Sequence, residues 1–103
     1  MKYLVYGMRS VAISDVVSVI GRVLHASFEE RDSSYKGGVY YRYSDKDGWS
    51  VSVESHWRDE DGILAKPEFS EYSVLVYLNE APSVVEEKMD AIPSLSLLQS
   101  REF

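Results

Sequence analysis

Apolar and polar positions change rhythm several times along the chain, and each change marks an element. Residues 2–8 (Lys2-Tyr3-Leu4-Val5-Tyr6-Gly7-Met8) are apolar on both alternating faces, too few for a stable helix and rich in Tyr, Val and Leu. They predict a strand inside a sheet with at least one face against a helix. Ile13, Val16, Val17, Ile20, Val23 and Leu24 then recur at helical spacing, with Ser14, Asp15, Ser18 and Arg22 between them. That stripe predicts an amphipathic helix over residues 10–25, with Ser10 as its N-cap and Ser14 as the alternative.

From Ala26 to Tyr43 the pattern turns β, with a polar stretch from Glu29 to Ser34 and a turn signal at Gly37-Gly38. Val39–Tyr43 and Trp49–Trp57 read as the arms of a hairpin closed through Asp47-Gly48. In its second arm Trp49, Val51 and Val53 alternate with Ser50, Ser52 and Glu54, which predicts one buried face and one wet face. Arg58–Phe69 reads as a loop, and Glu71–Asn79, apolar on both sides, as a central strand. Ser83-Val84-Val85-Glu86 matches a capping box, Val84, Val85, Met89 and Ile92 continue a helical stripe, and Pro93 ends it. The tail carries Leu95, Leu97 and Leu98 in no pattern that assigns it to an element.

The order β-α-β-β-β-β-α predicts an α+β domain, a mainly antiparallel sheet of about five strands with both helices on one face. Leu4, Val17, Ile20, Leu24, Val51, Val53, Val74, Val76, Val85 and Met89 are its expected core. A length of 103 residues suits a single domain spanning the whole chain, and 45% hydrophobic with 13% aromatic residues argues against disorder. No cysteine is present, which excludes disulfides, thiolate metal sites and a cysteine nucleophile. Arg9 and Asp15 interrupt the opening apolar run too early for a leader or a membrane span, so a soluble, cytoplasmic protein is expected.

Candidate chemistry is sparse. His25 closes the first helix, where an imidazole interacts well with the last carbonyls. His56 shares a strand face with Glu54 and is followed by Asp59 and Asp61, so a metal site or acid–base pair is open to it, although strand alternation produces the same pattern. Asp59-Glu60-Asp61-Gly62 lacks the alternating ligands of a calcium loop, Gly37-Gly38 lies in no phosphate-binding motif, and no G-x-S-x-G accompanies the serines. No catalytic residue, metal or cofactor is expected.

Charge changes the picture more than any motif. Seventeen acidic residues against eleven Lys and Arg give a net charge of -6. The tyrosines beside Arg42 suit base stacking, but an acidic chain forgoes the counterion release that drives nucleic-acid binding, and no membrane contact is expected. Acidic clusters at Glu29-Glu30-Asp32, at Asp45 and Asp47, and at Glu54 with Asp59-Glu60-Asp61 interleave with Tyr and Trp. The expected partner surface takes Glu54, Asp59, Glu60 and Asp61 as charge contacts, Tyr41, Tyr43 and Trp57 as anchors and His56 beside them. Glu29, Glu30 and Asp32, or Glu86 and Glu87 of the second helix, are the fallback. Such charges also serve simply to solvate a sheet edge.

Gly37-Gly38-Val39-Tyr40-Tyr41, the hairpin through Asp47-Gly48, and Pro67-Glu68-Phe69-Ser70-Glu71-Tyr72 leading into a hydrophobic strand, in a small acidic chain, resemble bacterial immunity proteins. The likeness is to those paired with toxins of contact-dependent growth inhibition systems. It implies a non-enzymatic inhibitor that binds a cognate toxin domain, often a nuclease. Such a domain is expected to be basic because it holds phosphates. Other classes remain open: a small-molecule-binding or weakly catalytic domain with a pocket near His56, or an oligomerising accessory subunit.

Overall fold

β1 (Lys2–Met8) lies inside a sheet, as its two apolar faces require, pairing antiparallel with β5 (Val74–Asn79) on one side and β6 (Ser96–Glu102) on the other. The protein is seen in a computed structural model that describes residues 2–9, 12–33, 38–56 and 66–102. β2 (Glu29–Ser33), β3 (Gly38–Ser44), β4 (Ser50–Ser55) and β5 follow one another as an antiparallel meander. The complete order is β2-β3-β4-β5-β1-β6, so the sheet has six strands rather than about five. The α+β class holds, and the strands and helices run β-α-β-β-β-β-α-β.

The sixth strand is the unassigned tail, and its register explains why alternation did not reveal it. Val5 faces Gln99 while Tyr6 faces Leu97, so Leu98 is an extra residue, a bulge that sets two leucines side by side and breaks the two-residue period. Gly7, paired with Ser96, stands next to that bulge. A Cβ built there would lie 2.7 Å from Leu98 Cδ1 and 2.8 Å from the Tyr72 ring, so only glycine lets both side chains close over β1. Gly7→Ala should therefore destabilise the fold by about 1–3 kcal/mol, checked by urea denaturation. Wild-type stability in that variant would show that Leu98 and Tyr72 yield freely.

α1 (Ile13–Leu24) starts later than its apolar stripe suggested. Its cap is Ala12, with no side-chain cap hydrogen bond; Ser14 lies within the helix and Ser10 lies outside the described residues. At the other end His25 adopts the left-handed conformation (φ 53°), and the Ala26 N–H closes back on the Gly21 carbonyl at 2.9 Å. His25 thus terminates the helix through its backbone, in a position glycine usually fills. α2 (Ser83–Asp90) is capped by Pro82, and the capping box does not form. Glu86 instead accepts from Lys2 Nζ at 2.8 Å, because a cation on β1 offers a charged partner where the cap offered a neutral N–H. Tyr6 Oη donates to Asp90 at 3.2 Å, a second tie between α2 and β1. Burial first, and the Asp90 carboxylate after it, push the Tyr6 phenol well above its ordinary range.

Both helices cover one sheet face. Val16 and Ile20 of α1, with Val85 and Met89 of α2, pack on Leu4, Tyr6, Met8, Trp49, Val51, Val53, Val74, Val76 and Leu78. The expected core is present, with Val17 and Leu24 half-buried at its margin. Among the described residues no helix is long and apolar enough to cross a membrane. The opposite face differs from its expected wet character: Ser52 is 3% and Glu54 6% exposed, beside fully buried Val5 and nearly buried Leu75. In the sheet rows Ser52 stands between Arg42 and Tyr77, and Glu54 between Tyr40 and Leu75. Large neighbours on the adjoining strands help to shield both side chains from water.

Candidate functional site

β2 is an edge strand paired only with β3, and its alternation sorts its charges. Glu30 and Asp32 fall on the helix side, across from Tyr41 and Val39; Glu29 and Arg31 fall on the open side, across from Arg42 and Tyr40. All four are exposed. The Tyr41 hydroxyl donates to Glu30 at 3.1 Å, and the Tyr43 hydroxyl donates to Asp45 at 2.7 Å. Asp45 also accepts the Asp47 N–H at 3.0 Å, which orders the turn into β4.

These bonds couple carboxylates to phenols. The bond to Glu30 raises the Tyr41 phenol, and the bond to Asp45 raises that of Tyr43, more than burial does. Asp45 is held below the usual carboxylate range, first by the Tyr43 hydroxyl and then by the Asp47 N–H. A lowered folded-state value means the pairing supports the fold above the ordinary carboxylate range. That support is lost as pH falls through the lowered value.

Tyr41 and Tyr43 are therefore split side chains. The Tyr43 ring packs against Phe28 and Trp49, with centroids 6.4 and 5.4 Å apart, and Tyr41 borders the same core. Only their hydroxyl ends reach the acidic edge. Glu54 is buried on the other face and donates no charge to the exposed surface; it accepts from Ser52 Oγ at 3.0 Å. Trp57, Asp59, Glu60 and Asp61 lie outside the described residues. The structure thus pairs Tyr41 with Glu30 and Tyr43 with Asp45, with Asp47 beside the latter and Asp32 further along β2. Of these acids Glu30 and Asp32 belong to the fallback set, while Glu54 faces the other way.

His56 is a staple. Its Nδ1–H donates to the Tyr72 carbonyl at 2.8 Å and its Nε2 accepts the Lys66 N–H at 3.2 Å, an arrangement that fixes the neutral tautomer. Its own N–H bonds the Ser73 carbonyl at 2.9 Å. Both ring nitrogens hold backbone groups, so a metal or a substrate proton would have to displace them. Among the described residues no group of three or more His, Asp and Glu side chains gathers as a metal site. His56→Ala would leave a half-buried N–H and carbonyl without those partners and should cost about 1–3 kcal/mol of stability by thermal denaturation. A variant as stable as wild type would remove the stapling role.

A second feature lies on the open sheet face. Lys2, Tyr3, Arg42, Gly48, Ser50, Asn79 and Glu80 line a depression of roughly 370 Å³. The sequence offered one signal for it, Arg42 between strand tyrosines; Ser50 and Asn79 come beside it only through the β4–β5 register. Neither a protein-family model nor a curated protein matches the chain.

Proposed function

We propose that this chain is a non-enzymatic immunity protein that binds and neutralises a basic toxin domain, of the nuclease kind, through the acidic edge at β2 and the neighbouring turn. The observation that carries this reading is the set of exposed carboxylates at Glu30, Asp32 and Asp47, with Glu30 and Asp45 held by the hydroxyls of Tyr41 and Tyr43. Carboxylates fixed in place lose little entropy on docking, and an edge whose acids outnumber Arg31 and Lys46 steers a basic partner before contact. Phosphate-binding surfaces are basic, so an acidic edge competes for them by complementary potential. The staple at His56 supports the same reading, since it commits the imidazole that the catalytic alternative requires.

Co-expression tests the proposal. Cells producing the toxin domain encoded beside this chain should grow when the chain is co-expressed and should arrest without it. Arrest in both conditions, with the chain folded and abundant, would remove the immunity reading.

A further inference from the structure

We propose that the depression on the open sheet face is a binding site for a carboxylate, with Arg42 as its receptor. The site is separate from the acidic edge and does not depend on the toxin-binding reading.

Among the described residues, the arginines of the open face other than Arg42 are engaged. Arg9 bonds Glu71 at 2.7 Å and lies 5.1 Å over the Tyr72 ring; Arg31 bonds Glu29 at 3.2 Å; Arg101 donates to the Gln99 side-chain carbonyl at 2.9 and 2.8 Å. Arg42 is the exception. Glu29 stands opposite it in the ladder but turns to Arg31, and Arg42 donates only from Nε, to Ser44 Oγ at 3.2 Å. Among the described residues no carboxylate meets its guanidinium. A half-buried arginine without an acid is unusual in a chain of net charge -6, where carboxylates outnumber cations.

The surroundings are built to receive an anion. Ser50, only 8% exposed, lines the depression, and its hydroxyl accepts from Asn79 Nδ2 over a long 3.4 Å, which leaves its own proton to donate. Tyr3, half-buried and 6.1 Å from Tyr77, supplies an apolar wall. Two residues lining the depression have positive φ, Gly48 at 98° and Glu80 at 58°. Glutamate seldom adopts that conformation, and the Glu80 N–H is fixed there by the Lys2 carbonyl at 2.7 Å. The Lys2 ammonium is held by Glu86 across the sheet. Arg42 therefore faces a single lining acid, Glu80, which is exposed.

A guanidinium fork with a hydroxyl donor and an amide matches a planar carboxylate, and roughly 370 Å³ lies at the small end of ligand-site volumes. The carboxylate belongs either to a free small molecule or to an acidic peptide side chain. Amide NMR shifts distinguish them, with glutarate as one probe, a capped hexapeptide of Glu and Gly as the other, and sodium chloride of equal ionic strength as control. Saturable shifts at Tyr3, Gly48, Ser50 and Asn79 with glutarate would assign a free carboxylate; the same shifts with the peptide alone would assign a peptide. Arg42→Gln should weaken binding by roughly tenfold or more, and Glu80→Gln should strengthen it. Overturning results are an absence of saturable shifts with both probes, shifts that chloride reproduces, or Arg42→Gln and Glu80→Gln both binding like wild type.

Discussion

Ile20→Ala should lower the unfolding free energy by about 2–5 kcal/mol, a large loss for one truncation. Ile20 is fully buried on α1, in the cluster that joins both helices to β4, β5 and β1. Three heavy atoms would be removed from a cluster that includes Val51 and Val53 of β4, Val74 and Val76 of β5, and the flexible side chains of Met8 and Met89. The cost therefore combines lost transfer energy with a cavity that closes only in part. Val17→Ala, three residues earlier and half-buried, should cost about 1 kcal/mol or less, since part of its surface is already exposed to water. Urea denaturation of both variants checks the contrast. Equal midpoints would mean that α1 packs on a different face.

Reversing Glu30 and Asp32 together to Lys should slow association with a basic toxin domain by roughly tenfold or more at low salt. Both side chains are exposed on an edge strand, so the fold should tolerate the change. The reversal turns a local charge of -2 into +2 in the region that a basic partner approaches first. The rate of the wild-type chain should fall steeply as salt rises, and that of the variant should fall less or rise. Tyr41→Phe removes the hydroxyl that orients Glu30 while preserving the ring, so its association should remain near wild type. Stopped-flow traces with identical salt slopes for wild type and the double reversal would place the interface elsewhere.

Much of the architecture was legible because periodic burial writes itself into a sequence. β1 and β5 were readable from apolar residues on both sides, and α1 from its stripe, because tertiary contacts there agree with local pattern. β6 was hidden by its bulge, which places Leu97 and Leu98 out of alternation. The capping box failed because Lys2, 84 residues from Glu86 in sequence, offers a stronger partner across the fold. Ser52 and Glu54 read as wet because alternation reports only the side away from the helices; their burial depends on Arg42, Tyr40, Tyr77 and Leu75 on neighbouring strands.

Of the candidate site, the sequence conveyed the residue types but not all of their neighbours. Acidic and aromatic residues in the middle of the chain do come together, but through Glu30 and Asp45 with Tyr41 and Tyr43, while Glu54 faces the other way. His56 looked reactive because its partners are carbonyl and amide groups of Tyr72 and Lys66, which no side-chain pattern reports. The Arg42 depression depends on the pairing of Ser50 with Asn79 and was beyond reach of a linear reading.

The proposed capture of a basic toxin domain by the acidic edge makes a direct quantitative demand. The most direct measurement is a calorimetric titration of a candidate basic nuclease toxin domain with wild-type protein and with the Glu30→Lys, Asp32→Lys variant, each mixture then assayed for toxin activity. The expected result is a stoichiometric complex that silences the toxin with the wild-type chain, and binding weakened by roughly tenfold or more with the variant. A wild-type chain that gives no heat of binding and leaves the toxin fully active would contradict the account.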